Sequence, residues 1–511
     1  MKKLSKSSII FILFCIILGV INLFFFKEAF KLSSTQDNYL FYILIVGLSF
    51  IELIMCFLIF KKNKKDCPLE KIFLIMAIPL GLLYLIFIPV GQVPDEHNHY
   101  ARSYSISKGY LVSLNTKNGD GYAPLPTQVS SMLISNKEDS YKKTFNNIKQ
   151  HYDKNETNLV FTNTSLYNFI VYIPQVIGII IGRIFHLPIL LIAYLARLFN
   201  LAVYISLMYF SIKNLPFFKN YLLFFALLPI SLQEASSISS DALTICSSFF
   251  LVSYILHLKY SYKGKITNKQ YALLFITSII SSMCKIVYLP LVLLIFILPT
   301  EKFNSKREKC IKLILLFITC ILINGAWTLY ASRYLVETNI GVSSKEQFIY
   351  VLTHPFNYII IILRTIKTEG INFVYQLYGR SLSLLDIDVK KFYSFISIII
   401  SICLLISESF TKKIVSRIDK ILSLMITIMI IGLIFTSLYI QWTPLKKGVV
   451  WGVQGRYFIP IMMLIPILFS RTNENKIKII IDTKKIDNKY LLSYIAFQGL
   501  SALSFIICAC I

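Results

Sequence analysis

The sequence predicts an all-α, polytopic integral membrane protein with about 13 transmembrane helices. Three observations predict it. Of 511 residues, 56% are hydrophobic, and the mean hydropathy is +0.66. Several runs approach 20 residues with few or no charges, the length an α-helix needs to cross roughly 30 Å of hydrocarbon. Lipid offers no partner for a backbone amide, so each run must pair its amides internally, as a helix does. Lys and Arg, finally, gather in blocks between the apolar runs.

The spans lie near 9–26, 39–60, 71–90, 189–212, 220–235, 241–258, 270–284, 286–299, 311–331, 392–410, 420–440, 456–470 and 490–511. The first run, MKKLSKSSIIFILFCIILGVINLFFF, lacks a small-residue cleavage site and is followed by further spans, so it reads as retained. With Lys2, Lys3 and Lys6 inside, the inner segments are 1–8, 61–70, 213–219, 259–269, 300–310, 411–419 and 471–489. With their flanks, these hold about 29 of the 52 Lys and Arg in roughly 80 residues; the outer segments hold about 20 in roughly 190. That asymmetry puts the N-terminus in the cytoplasm and the C-terminus outside a cell (plasma) membrane. The net charge of +26 therefore marks cytoplasmic loops rather than a nucleic-acid surface.

The segment 167–186 is long enough to span, but spanning would reverse every later basic cluster. It is expected to lie in the outer interface or re-enter from it, broken or kinked at Pro174. The stretch 355–366, with Arg364, is treated alike. The pair 270–284 and 286–299 is short, joined at Lys285, and must tilt or thin the bilayer. Gly178-x-x-x-Gly182 is a helix-packing signal. None of the ten cysteines falls in 91–165 or 332–391, and no disulfide or zinc spacing is visible.

Three outer loops follow from this threading: 91–188, 332–391 and 441–455. The unusual polar residues fall on that same face: Asp95, Glu96, His99, Arg102, Glu234, Asp241, Lys285, Arg380, Gln454 and Arg456. Charge at membrane depth is costly and tends to mark function.

In PVGQVPDEHNHYARSYSISKGY, from Pro89 to Tyr110, Pro94 can open a helix. Asp95, His99 and Arg102 would then form one stripe, with Arg102 about 10 Å along the axis from Asp95. A carboxylate can serve as general base and an Arg can clamp a phosphate, which suits activation of a hydroxyl while a phosphate leaves. The alternative is a helix cap, with Asp95 and Glu96 facing the dipole. His97-x-His99 could bind a divalent metal or be plain surface. Ser239 or Asp241 can cap the span that follows. Lys285 needs an anionic partner, which a phosphate or Asp241 would supply. Arg183 and Arg197 could bind lipid phosphates or simply snorkel. In GVQGRYFIP, Gln454, Arg456 and Tyr457 open a span, and the two glycines suggest a turn that brings backbone close to a neighbour.

VPDEHNHYARSYSISKG resembles the segment PDEPAHFYRAYQLSEG of a bacterial family of predicted multi-pass membrane proteins. Asp95, Glu96, His99, Arg102 and Tyr104 match it; His97 and Asn98 replace its Pro and Ala. YIPQVIGIIIGRIF, LARLFN, LLPISLQEASSISSDALT, CKIVYLP and QWTPLKKGVVWGVQGRYFIP follow in order, so the resemblance spans residues 90 to 465. That family is similar to the GT-C superfamily of glycosyltransferases, which includes protein mannosyltransferases and lipid A aminoarabinose transferases. The resemblance implies a large first outer loop with interfacial helices and a sugar donor on a polyprenyl-phosphate carrier. It implies Asp95 as the catalytic base, with Glu96 as its partner. It makes Arg102, Lys285 and Arg456 candidates for the carrier phosphate and Asp241 for ordering the site. His99, Tyr104, Gln454, Tyr457 and Arg380 would support them. Residues 1–70 are then two extra spans, 71–300 the catalytic module, and 301–511 the C-terminal spans.

The expected activity is transfer of a sugar to a cell-surface polymer (a wall polysaccharide or a teichoic acid) on the outer face, with inversion. Polyprenyl phosphate leaves readily, so no cofactor is implied, although a divalent cation is compatible. Asp386-Ile-Asp388 is the outer-loop match to the Asp-x-Asp pattern of nucleotide-sugar enzymes and reads as surface, though it could bind acceptor or metal. The alternatives are a transporter or flippase of lipid-linked saccharides, a polymerase or ligase, and a non-catalytic scaffold. A transporter favours internal repeats and mid-membrane polar residues, which the sequence does not display.

Overall fold

The computed structural model describes residues 10, 11, 13–21, 47, 68–115, 121–131, 148–152, 155–334, 343–409, 415–445, 447–472 and 488–510. Among them, seven helices are long and apolar enough to cross a membrane: Leu69–Phe87, Ile189–Asn214, Asp241–Tyr260, Lys306–Ala331, Lys391–Ser409, Arg417–Gln441 and Tyr490–Cys510. Ser344–Thr353 and Pro355–Leu377 add an eighth if taken as one broken span, bent by 108°. The chain is therefore a multi-pass, predominantly helical membrane protein embedded in a lipid bilayer. Of the expected span 9–26, residues 10, 11 and 13–21 are described and helical, whereas 39–60 falls outside the described residues except for residue 47.

Three expected spans differ, and proline explains each. The run 220–235 is two short helices, Lys219–Ala226 and Pro229–Ala235. Pro229 forces Leu228 into extended backbone, which ends the first helix. The run 286–299 is a 3-10 helix, Ile286–Ile297, with Pro290 inside it. Lys285 is extended (φ −149°, ψ 126°) and separates it from the helix Asn268–Cys284. The run 456–470 divides into a 3-10 helix, Gly455–Ile461, and the helix Leu464–Phe469, with Pro460 and Pro466 in them. Segments this short cannot cross alone.

The segment 167–186 forms a 3-10 turn, Phe169–Tyr172, and the helix Ile173–Ile184. Pro174 sits in the first turn, where its missing N–H costs nothing, so it starts the helix instead of kinking it. Twelve residues rise about 18 Å, short of the bilayer core. This helix lies against Ile189–Asn214 through its two glycines. A Cβ at Gly178 would stand 2.5 Å from the Leu195 carbonyl oxygen, and one at Gly182 would stand 2.7 Å from Ile192 Cγ1.

Asp241–Tyr260 and Tyr490–Cys510 form the centre of the bundle: 94% and 100% of their apolar windows are buried, against 22% for Lys306–Ala331. A helix apolar all round belongs inside; one with exposed Leu322 and Leu329 faces lipid. Tyr84 donates to the Gly499 carbonyl at 2.8 Å and ties Leu69–Phe87 to the last helix. At the far end of Asp241–Tyr260, Lys259 pairs with Asp419 at 2.5 Å. That end lies about 30 Å from Asp241 by helical rise.

The loop after Leu69–Phe87 departs from the all-helical expectation. Strands β1 (Leu114–Asn115), β2 (Gly121–Pro126) and β3 (Glu156–Val160) form an antiparallel sheet in the order β1-β2-β3. Lys108 pairs with Glu156 and ties the sheet to the helix Glu96–Ser107. A second hairpin pairs β4 (Ser381–Leu382) with β5 (Ile387–Asp388).

Two glycine substitutions separate packing from propensity. Gly178→Ala must push apart two helix backbones and is expected to abolish the monodisperse peak in size-exclusion chromatography. Gly325→Ala, with open space around its Cβ inside Lys306–Ala331, is expected to be neutral or to add up to about 1 kcal/mol.

Candidate active site

The site begins where Leu69–Phe87 ends. Glu96, the first residue of the helix Glu96–Ser107, turns into the bundle and is fully buried. Arg197 Nε donates to its Oε1 at 2.8 Å and Arg197 Nη2 to its Oε2 at 2.7 Å. The Gly91 amide reaches Oε2 at 2.7 Å and the Ile238 amide reaches Oε1 at 2.9 Å. Four donors fill the roughly four acceptor positions of a carboxylate. The other Arg197 protons go to the carbonyls of Leu85 (3.2 Å), Ile88 (2.6 Å) and Pro89 (3.1 Å). Glu96 is thus a structural clamp, which corrects its expected role beside Asp95. Arg197 neither snorkels nor awaits a lipid phosphate.

Asp95 precedes the helix in a left-handed conformation (φ 61°, ψ 6°) that Asp tolerates better than most residues. It stands at the N-cap position, with Glu96 in the first turn, but its side chain makes no capping bond. With Glu96 held inward, Asp95 turns outward, its side chain 45% exposed and 4.0 Å from Arg456 Nη2. Because the helix starts at Glu96, Asp95 does not share a stripe with Arg102. Arg102 is fully buried and donates to the carbonyls of Tyr110 (3.1 Å) and Leu111 (2.6 Å). It closes the turn after the helix, so its expected place at a carrier phosphate is corrected.

Around Asp95 the structure gathers Asp241, Lys285, Arg456, Tyr457 and His99. Ser239 Oγ accepts the Asp241 amide at 3.0 Å, which leaves the Asp241 carboxylate free to face cations. Lys285 pairs with Asp241 Oδ1. Its ammonium lies 5.4 Å from the Tyr167 ring centroid and 5.3 Å from that of Tyr457. Arg456 Nη1 donates to Glu234 Oε1 at 2.9 Å. Arg456 Nε lies 3.4 Å from Asp241 Oδ2 and forms no hydrogen bond, so one guanidinium donor is uncommitted.

His99 shares its Nδ1 with the Tyr172 hydroxyl at 2.8 Å. Burial lowers its pKa to about 4, against the opposing pull of Asp95, with Lys285 lowering it further. His99 is therefore neutral at pH 7. His97 is exposed while His99 is buried, since residues two apart on a helix face different ways. They do not converge on a metal, and no group of three His, Cys, Asp or Glu fit to hold one occurs among the described residues.

Other expected site residues lie elsewhere. Arg380 holds Asp388 through two bonds of 2.9 and 3.1 Å, stapling β4 to β5. The Tyr104 ring packs on Tyr152, with the Arg183 guanidinium 5.3 Å from its centroid. Arg183 in turn donates to the Ser107 carbonyl at 2.8 Å. Gln454 supplies its carbonyl to the Tyr457 amide at 3.1 Å, and its buried Oε1 has no hydrogen bond. The glycines of GVQGRYF act as expected: Gly452 has φ 79°, and a Cβ at Gly455 would strike the backbone of Phe373 and Leu377.

Two contributors were not foreseen as site residues. Glu234, whose Oε2 accepts Ser239 Oγ at 2.8 Å, carried the signal of a lone carboxylate in an apolar run. Tyr167, one aromatic among many, carried none. From Lys285 and Tyr457 a largely apolar cavity of about 230 Å3 runs between Lys306–Ala331 and Arg417–Gln441, past Trp327, Ile434 and Leu438.

Arg197→Met, which strands a buried carboxylate, is expected to destabilise the protein by about 3–5 kcal/mol. Asp95→Asn, at a half-exposed side chain, is expected to stay within about 0.5 kcal/mol; thermal unfolding in detergent compares them. His99 gives a pH signature. Unfolded, it binds a proton near pH 6.5; folded, only near 4. Between those values the unfolded state holds more protons, so stability is full above 6.5 and falls as pH drops through the window. The loss should be on the order of 1–3 kcal/mol, and His99→Gln should flatten that slope in melting curves taken from pH 7 to pH 4.

No curated protein and no solved structure matches the chain. One family model does, over residues 78–465, which include Asp95, Glu234, Asp241, Lys285 and Arg456 and most of the chain. The chain belongs to the family described as predicted membrane protein (DUF2142).

Proposed function

We propose that the chain is a GT-C-type membrane glycosyltransferase that moves a sugar from a polyprenyl-phosphate carrier to a surface glycopolymer on the outer face of the plasma membrane. The observation that carries the reading is the clustering of a half-exposed carboxylate, Asp95, with Arg456 and Lys285, the latter lining a largely apolar cavity. A lipid-linked donor has those two parts, a phosphate and a hydrocarbon chain. The cavity beside Lys285 suits the chain, and Lys285 with Arg456 suits the phosphate. Lys285 uses one of three ammonium donors on Asp241, and the Arg456 Nε–H is uncommitted.

In the proposed reaction, Asp95 takes the proton of an acceptor hydroxyl. The oxygen attacks the anomeric carbon as the bond from that carbon to the phosphate oxygen breaks. The bond electrons leave with the polyprenyl phosphate, whose added charge faces Lys285 and Arg456. Displacement from the opposite side inverts the carbon. Neutral His99, bonded to Tyr172, sits beside this cluster without adding charge. The Lys and Arg asymmetry of the loops supports an outer-face site, with the N-terminus inside and the C-terminus outside.

The test is transfer in reconstituted membranes from a panel of radiolabelled polyprenyl-phosphate sugars. Wild type is expected to consume one donor, and Asp95→Asn to slow it by about 10²–10⁴ while keeping its melting temperature. If no donor is consumed, or the variant consumes it as fast as wild type, the reading fails. Cysteine labelling that put positions 95 and 456 on the cytoplasmic side would sink it equally.

A further inference from the structure

The bent pair Ser344–Thr353 and Pro355–Leu377 meets Leu445, Lys447 and Gly448 around a cavity of about 560 Å3. No charged residue of the cluster described above lines it. Its walls carry Arg364, Lys447, Glu346, Asn357, Tyr350 and Tyr439. These walls are pinned together. Gln347 Nε2 donates to the Thr443 carbonyl at 3.0 Å, the Val450 amide to Thr365 Oγ1 at 2.9 Å, and the Trp451 amide to Thr443 Oγ1 at 3.0 Å. The cavity is therefore built into the fold.

Its cations are distinctive. Arg364 reaches across to the opposite wall, where a Cβ on Gly448 would lie 2.6 Å from its Nη1. The Lys447 ammonium stands 5.1 Å from the Trp451 ring centroid. Neither forms an ion pair among the described residues, whereas Arg197, Arg380, Arg456 and Lys285 all do. Both are exposed. The helix Pro355–Leu377 also exposes Phe356, Ile359, Ile360 and Leu363, an apolar surface of the kind that suits lipid. The cavity thus sits where exposed apolar surface gives way to exposed charge.

We propose that this cavity binds a phosphorylated polyol of the glycerol phosphate type. Arg364 offers a planar fork to two phosphate oxygens and Lys447 a second positive charge. Asn357, Tyr350, Tyr439 and Glu346 offer donors and acceptors to the hydroxyls. The volume falls in the usual range for small-molecule sites. A phospholipid headgroup and a free glycerol phosphate share this chemistry. The site does not depend on the transferase reading, and its test needs no turnover.

Two probes distinguish the sources, both applied to the full chain. Native mass spectrometry of protein released from nanodiscs of mixed phosphatidylglycerol and phosphatidylcholine counts retained phosphatidylglycerol. Isothermal titration in detergent with sn-glycerol 1-phosphate measures the soluble ligand. Wild type is expected to bind at least one, and Arg364→Gln with Lys447→Gln to weaken it by about tenfold or more. Arg333→Gln, a surface cation elsewhere, should leave it unchanged. Retained phosphatidylglycerol alone assigns the site to lipid; calorimetric binding assigns it to a soluble polyol phosphate. Gly448→Leu crowds Arg364 without removing charge and should weaken the same probe, which keeps the test open if the double variant does not fold. Binding of neither probe, or wild-type binding by every folded variant, overturns the proposal.

Discussion

Burying Glu96 and Arg197 in a lipid-embedded bundle takes two charges out of water, at a cost of several kcal/mol for each. Mutual attraction alone rarely offsets that. Here saturation does: four donors reach the carboxylate, and five bonds leave the guanidinium. The partners come from the end of Leu69–Phe87, the turn at Gly91, the helix Ile189–Asn214 and the turn before Asp241. One pair therefore joins three parts of the chain: residues 85–96, the helix Ile189–Asn214 and the turn before Asp241. It also orients the neighbouring residue. With Glu96 drawn inward and Asp95 in left-handed backbone, the Asp95 carboxylate has one way to face, toward Arg456.

The cluster at Asp95 is the opposite kind of arrangement. Lys285, Arg456, Glu234 and Asp241 compensate one another, yet donors remain and one carboxylate stays half exposed. Each member arrives where regular structure breaks. Lys285 is an extended residue between a helix and a 3-10 helix. Arg456 stands at the start of a 3-10 helix, four residues after the positive-φ Gly452, Glu234 lies in the last turn of a seven-residue helix, and Asp241 begins a span. Irregular backbone at membrane depth persists only where protein or a water-filled cavity meets its polar groups. The breaks, the charges and the apolar cavity beside Lys285 therefore coincide for one physical reason. Neutral His99 adds hydrogen-bonding capacity there without adding charge.

Much of this was legible from local pattern. Uncharged runs near 20 residues marked most of the long helices, and the cost of charge in apolar surroundings singled out Asp95, Asp241, Lys285 and Arg456. Gly178-x-x-x-Gly182 and the glycines of GVQGRYF announced close backbone approach, which the packing bears out. The broken spans were partly legible too, since proline stands at each break, although hydropathy averages over such breaks. Glu96 and Arg102 were misassigned because the motif places them beside Asp95 in sequence. In space they point away from it, into protein.

The sequence by itself determined the membrane class, most of the crossing helices and the residue types that carry charge at one end of the bundle. These depend on composition and spacing, which act locally. Only the tertiary structure decided which of those charges are consumed in holding the bundle and which remain open, because that depends on how many partners each group meets. Arg197 and Ile238, which meet Glu96, and Glu234, which meets Arg456, come from chain segments more than one hundred residues away. No local periodicity records such a meeting.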